Sequence, residues 1–237
     1  MKWGKWIGGG LGWVAGGPIG LLVGFIVGTI YDSATTGRKS NTTTQPGDFA
    51  VALVVVTAMV MKADNVIKKS ELDYVKNFFI RNFGETKARQ ALLMLRDVLK
   101  KEIPAREVCE QLRINLDYSS KLQMLHYMFG IAASDGEIHP NEVAVIRQMA
   151  QWMDIKQSDY NSIQAMFVGD EDAAYKILEI EKTATDEEVK KAYRAMAIKY
   201  HPDKVAHLGD DVQRAAKEKF QKLQEAYETV KKQRGMK

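Results

Sequence analysis

From Ile7 to Tyr31 the chain carries no charged residue, a run of about the length a helix needs to cross a bilayer. Lipid offers backbone N–H and C=O groups no water, so a spanning segment must satisfy them internally, as a helix does. Lys2 and Lys5 precede the run, and Asp32, Arg38 and Lys39 follow it. Trp3, Trp6 and Trp13 lie on one side and Tyr31 at the other, where interfacial aromatics belong. The expectation is an N-terminal transmembrane anchor over residues 1–31.

Within the run, Gly8, Gly12, Gly16, Gly20, Gly24 and Gly28 recur every fourth residue, close to one line along a helix. In water each would cost about 1 kcal/mol against alanine, whereas in lipid a smooth strip lets two backbones approach. The expectation is a transmembrane helix that pairs with a second copy, giving a homodimer. Two other readings stay open. Gly16-Gly17-Pro18 would kink a helix in mid-run, which suits a hairpin dipping into one leaflet. A cleaved signal peptide is the other, although its apolar core is usually shorter and ends at a small-residue cleavage site. The flanking charges nearly balance and set no orientation.

The rest of the chain has the composition of a folded protein, with 46% hydrophobic and 27% charged residues among 237. That is room for two modest domains beside the anchor. A net charge of +4 is too mild for a basic nucleic-acid-binding domain. The single cysteine, Cys109, excludes an internal disulfide and reads as a small buried apolar residue. Residues 32–47 are rich in Ser, Thr, Asn and Gly and read as a flexible linker.

Residues 48–168 read as all helix. Apolar periodicity predicts helices over Phe49–Lys62, Ser70–Phe83, Glu85–Lys101, Ala105–Leu116, Ser119–Ser134, Pro140–Met153 and Gln157–Phe167, punctuated by Gly84, Pro104, Gly136 and Pro140. An internal repeat lies within: Ala63 to Leu72 matches Ser134 to Val143, each between apolar helices. Asn65 and Gly136 suit a left-handed helix end. Ile67 and Ile138 are expected to plug the core, and Glu71 and Glu142 to reach back to free N–H groups. A second reading makes Asp64, Glu71, Asp135 and Glu142 weak metal-ligand candidates, though neither turn has the dense carboxylates of a calcium loop. His126 reads as a core or boundary residue and His139 as a cap; neither has neighbours at metal-ligand spacing.

The last third, 169–237, is organised around Tyr200-His201-Pro202-Asp203-Lys204. Pro202 biases His201 away from helical angles, so the helix before it should end at about Tyr200. Thr185 caps that helix with Glu188 three residues on, and Val189, Ala192, Tyr193, Met196, Ala197 and Tyr200 form its apolar stripe. Lys190, Lys191 and Arg194 occupy the other face. A second helix, with Asp210 or Asp211 as its cap, carries Ala216, Phe220, Leu223, Tyr227 and Val230. The two stripes predict an antiparallel hairpin with the loop at its tip and a short helix around Ala173–Ile180 as a lid.

Four blocks in order, Tyr175–Ile180, Val189–Arg194, Tyr200–Lys204 and Phe220–Tyr227, resemble the J domain of DnaJ-type co-chaperones. The middle region resembles the TerB-like helical domains, whose acidic turns are associated with metal. Anchor, linker, TerB-like bundle and J domain together are similar to the membrane-anchored DnaJ-like co-chaperones of bacteria. The resemblance implies an all-α protein that is not an enzyme and needs no cofactor. It implies a DnaK-type ATPase chaperone as partner, stimulated through His201, Pro202 and Asp203. Lys190, Lys191, Arg194, Lys199 and Lys204 would meet an acidic surface of that partner. Access to the partner places the C-terminal domains in the cytoplasm, on a single-pass anchor in the inner membrane. The glycine-phenylalanine linker and cysteine-pair zinc module of a full DnaJ are not expected. The rival reading is a membrane scaffold or stress sensor whose bundle binds a metal or a protein, with the J-like piece only a docking element.

Overall fold

The computed structural model describes residues 17–22, 46–63, 66–169 and 172–236, and every regular element among them is helical. Gly8, Gly12, Gly16, Gly24 and Gly28 lie outside the described residues, as do Asp64 and Asn65. Among the described residues no helix is long and apolar enough to cross a membrane.

The axis of the middle domain is α1 (Pro46–Met61). From Phe49 to Met61 its one polar residue is Thr57, and a helix apolar all round requires protein on every side. Phe49 through Met61 are all buried, and each buried Val or Leu contributes about 1.5–3 kcal/mol. Thr57 donates to Leu53 O at 2.7 Å and lies 2.8 Å from the Tyr127 hydroxyl.

Around it stand α2 (Lys69–Val98), α3 (Ala105–Asn115), α4 (Tyr118–Ala132), α5 (Pro140–Trp152) and α6 (Gln157–Ala165). α1 packs on α2, α4 and α5, and α4 on α2, α5 and α6. The helices expected on either side of Gly84 meet there without a loop, because Gly84 adopts φ 79 and ψ 161 and turns the chain in one residue. Cys109 is buried and unbridged, with its thiol pushed up to about 12 by desolvation.

The repeat is visible in its turns. Lys68 N–H donates to Glu71 Oε2 at 2.9 Å, and His139 N–H to Glu142 Oε2 at 3.0 Å. His139 Nδ1 accepts from Asn141 N–H at 3.2 Å and Gly136 has φ 92, both as the sequence predicts. Lys68 and Asp135 join the two turns at 2.7 Å. One expectation fails: Ile138 is partly buried, but Ile67 is exposed beside the turn and plugs nothing.

A short helical turn at 18–22 lies against α3. Ile19 is fully buried, and its N–H donates to Gln111 Oε1 at 3.0 Å. Pro18 opens the turn, where its missing N–H costs nothing. A Cβ on Gly17 would meet Gln111 Cδ at 2.6 Å, so a side chain there would displace the Gln111 amide from Ile19.

The C-terminal domain consists of α7 (Ala173–Ile177), α8 (Asp186–Lys199), a 3-10 turn (Pro202–Leu208) and α9 (Asp210–Arg234). Val189, Met196 and Tyr200 of α8 are buried, as are Ala216, Leu223 and Val230 of α9, and α7 lies against α9 as the expected lid. Thr185 and Glu188 make the capping box: Thr185 N–H donates to Glu188 Oε2 at 2.7 Å, and Glu188 N–H to Thr185 Oγ1 at 3.3 Å. Asp210 and Asp211 are not caps. Gly209 takes that position with φ 98, and both carboxylates fall in the first turn, where they complement the helix dipole. Arg234 closes the domain by donating to Lys182 O at 2.6 Å and pairing with Asp186 at 3.0 Å.

Candidate functional site at the tip of the C-terminal hairpin

Pro202 ends α8 at Tyr200 and starts the 3-10 turn, which leaves His201, Pro202 and Asp203 at the outermost point of the hairpin. The His201 side chain is 50% exposed and that of Asp203 73%. The exposed loop is tied internally. Asp203 N–H donates to His201 Nδ1 at 3.3 Å, and the Gln213 amide donates to Asp203 Oδ1 at 2.8 Å. The His201 ring stands edge-on to Phe220, 5.8 Å between centroids. With Nδ1 accepting, the neutral ring assigned from this bond carries its proton on Nε2 and offers that donor outward.

The neighbouring face of α8 is basic. Lys191 and Arg194 are exposed and Lys190 is half-buried. Among the described residues none of the three is in a salt bridge. Three unpaired cations within little more than one turn of helix, beside an exposed loop, suit an acidic partner, which such charges attract and orient. Lys204 is exposed on the same loop.

Lys199 is placed differently. It is 29% exposed and faces the bundle, with its ammonium 2.5 Å from Asp159 Oδ1 and 3.0 Å from Glu179 Oε1. Desolvation lowers its pKa, but the hydrogen bonds to Asp159 and Glu179 outweigh it and the net shift is upward. Asp159 is fully buried and also accepts from the Tyr118 hydroxyl at 2.7 Å. In sequence Lys199 looks like one more residue of the basic face. Its cation is instead the counter-charge of a carboxylate in the other domain.

The loop's further end is held too. His207 Nε2 lies 2.6 Å from Asp117 Oδ2, Val205 and Leu208 are buried, and the 3-10 turn packs on α4 and α1. The Tyr200 hydroxyl is 3.4 Å from Ser162 Oγ, and Ser162 donates to Ile177 O at 2.7 Å. Sequence reasoning missed Asp159, Ser162 and Lys219. Asp159 and Ser162 could have been flagged because they fall three and four residues apart on the stripe that carries Ile163 and Met166.

Lys219 of α9 is 3% exposed, lying with its ammonium 4.6 Å from the centre of the Tyr200 ring. Burial pushes it down to about 7, with Lys199 adding to the fall and Asp159 opposing it. Across the contact, His126 of α4 is buried against Phe167 and pushed down to about 3 by desolvation, then by Lys219 and Lys222.

The weak metal candidates do not converge. Glu71 and Glu142 are spent on helix N-termini, Asp135 pairs with Lys68, which holds its carboxyl below the usual range, and Asp64 is outside the described residues. Among the described residues no three His, Cys, Asp or Glu side chains gather to hold an ion.

Three family models match the chain in order: the co-chaperone DjlA transmembrane domain over residues 1–41, tellurite resistance protein TerB over 50–165, and the DnaJ domain over 173–235. The chain is 26% identical to the co-chaperone protein DjlA of Coxiella burnetii, with 100% of each chain covered. It is 26% identical to that of Photobacterium profundum, covering 99% of this chain and 100% of the relative. For the DjlA of Escherichia coli K12 the identity is 25%, over 99% of each chain. No solved structure matches.

Proposed function

We propose that this chain, a DjlA-like co-chaperone with anchor, TerB-like bundle and J domain in its relatives' order, recruits a DnaK-type chaperone to the membrane and stimulates its ATP hydrolysis. The observation that carries the reading is the exposed His201-Pro202-Asp203 tip beside Lys190, Lys191 and Arg194. The basic face steers and orients the encounter. The tip then contacts the hydrolysis-competent state of the partner better than the resting one, as any shift of a two-state equilibrium requires. Bond chemistry stays with the partner, and the chain holds and presents. Residues 1–31 serve as a single-pass anchor that pairs with a second copy along its glycine line, which requires the turn at 18–22 to leave α3 for the lipid; 32–47 serve as linker, 48–168 as bundle and 169–237 as J domain, the last two in the cytoplasm.

The test is ATP turnover by a DnaK-type chaperone with the full-length chain in detergent micelles. Stimulation that disappears in His201→Gln supports the reading. No stimulation by the parent chain, with its circular dichroism intact, would sink it and leave the scaffold reading.

A further inference from the structure

The J domain is not hung from the bundle by its connection alone. Both flanks of the exposed tip are fastened to bundle residues, while the tip and the basic face of α8 stay open. Before the tip, Lys199 reaches Asp159 at 2.5 Å and Tyr200 reaches Ser162 at 3.4 Å. After it, His207 reaches Asp117 at 2.6 Å, and the 3-10 turn lies on α4 and α1. The fastening is reciprocal. Asp159 is fully buried, so it needs a cation, and the one that reaches it belongs to the J domain.

We propose that the bundle is a working part of the trigger: Asp159, Ser162 and Asp117 are positioning residues that clamp both ends of His201-Pro202-Asp203, so that full stimulation of the partner requires the docked bundle. This rests on the co-chaperone reading above. A three-residue tip between flexible ends would sample many geometries, and a partner selecting one of them meets it only for a fraction of the time. Fixing the ends raises that fraction without adding a contact. The three positioning residues act through Lys199, Tyr200 and His207. Asp159 and Ser162 are buried, and Asp117 is on the bundle.

The experiment uses the full-length chain in detergent micelles as parent, Asp159→Asn, Lys199→Met and their double variant, with Asp117→Asn as a surface variant that leaves the buried pair intact. Two quantities are read: amide hydrogen exchange over residues 199–208, and partner ATP turnover across a titration of the chain. Asp159→Asn is expected to speed exchange over 201–208 by about tenfold. It should lower maximal stimulation by about threefold or more, while the half-saturating concentration changes by less than about twofold because the basic face is untouched. The double variant should be no worse than Lys199→Met alone, since one acts through the other. Asp117→Asn should give a smaller effect of the same kind. Unchanged exchange would overturn the clamp, and faster exchange with undiminished maximal stimulation would overturn its role in the trigger. If Asp159→Asn fails to fold, Asp117→Asn decides by the same criteria. If the parent chain stimulates nothing, the co-chaperone reading falls while the exchange data still decide whether the clamp exists.

Discussion

Replacing Lys219 by methionine should stabilise the protein, which is unusual for deleting a charge. The ammonium sits 3% exposed where α9 meets α4, and among the described residues no carboxylate pairs with it directly: Asp159 acts from a distance and Lys199 opposes it. Its pKa falls from 10.5 to about 7. The unfolded chain therefore holds the proton more tightly than the folded one. The folded state bears no penalty above the unfolded value, an increasing one as the pH falls towards about 7, and a constant one below. At ~1.4 kcal/mol per unit, the penalty is up to ~4 kcal/mol at pH 7 and ~2 kcal/mol at pH 9. Methionine keeps the length of the side chain and its stem packing while removing the charge.

Urea unfolding of the full-length chain in detergent, followed by circular dichroism at several pH values, measures this. Lys219→Met should raise the midpoint at pH 7, and its advantage over the parent should shrink by about half between pH 7 and pH 9. Groups common to both proteins, such as the buried tyrosines, cancel in the difference. A variant less stable than the parent at pH 7 would refute the reasoning, showing that the attraction of the Tyr200 ring for the ammonium exceeds its desolvation. An advantage that does not change with pH would refute it as well, because the effect would then be packing.

Three further outcomes follow from particular contacts. Lys191→Ala and Arg194→Ala should each raise the half-saturating concentration for the partner while leaving maximal stimulation in place, and the parent's half-saturation should worsen with added salt; titrations at two ionic strengths check both. Glu142→Ala removes the acceptor of His139 N–H at 3.0 Å and should lower stability by about 1–2 kcal/mol, read by urea unfolding. Gly16→Leu with Gly20→Leu should weaken self-association of the chain in lipid, measured by energy transfer between labelled copies; unchanged transfer would count against the glycine line.

What the sequence made legible is local. Thr185 with Glu188, Pro202 after His201, and Gly136 in its turn each act within a few residues, so the limits of α8, the exposed tip and the second repeat turn are readable from propensity and capping alone. The helix over Phe49–Lys62 was readable from its apolar run, but its place at the centre of the bundle shows only in the fold. Misreadings arise where backbone geometry or residues far along the chain decide. Ile67 looks like Ile138 in the repeat, but the first turn leaves it outside. Asp210 and Asp211 have capping chemistry, yet Gly209 has the freer backbone for the entry from the 3-10 turn. Lys219 sits in a helix full of lysines and glutamates, and its burial comes from the bundle laid over that face.

The hardest feature to foresee is the one that joins the domains. Asp159 lies in the first turn of α6, where an acid is expected anyway for the helix dipole, and nothing nearby in sequence indicates that Lys199, 40 positions on, completes it. Breaking such a buried pair by removing one partner typically costs about 3–5 kcal/mol, because a bare charge remains. The surface pairs across the same contact, Arg81 with Glu218 at 2.8 Å and Lys87 with Asp211 at 3.4 Å, are solvent-screened and worth about 0–1 kcal/mol each. Among the pairs across the contact, the one most costly to break by mutation is thus the carboxylate and ammonium next to the tip. A bundle separated from its J domain keeps Asp159 with only the Tyr118 hydroxyl, and a separated J domain keeps Lys199 with only Glu179. Each half is electrostatically incomplete without the other, so docking and the geometry of the tip should rise and fall together.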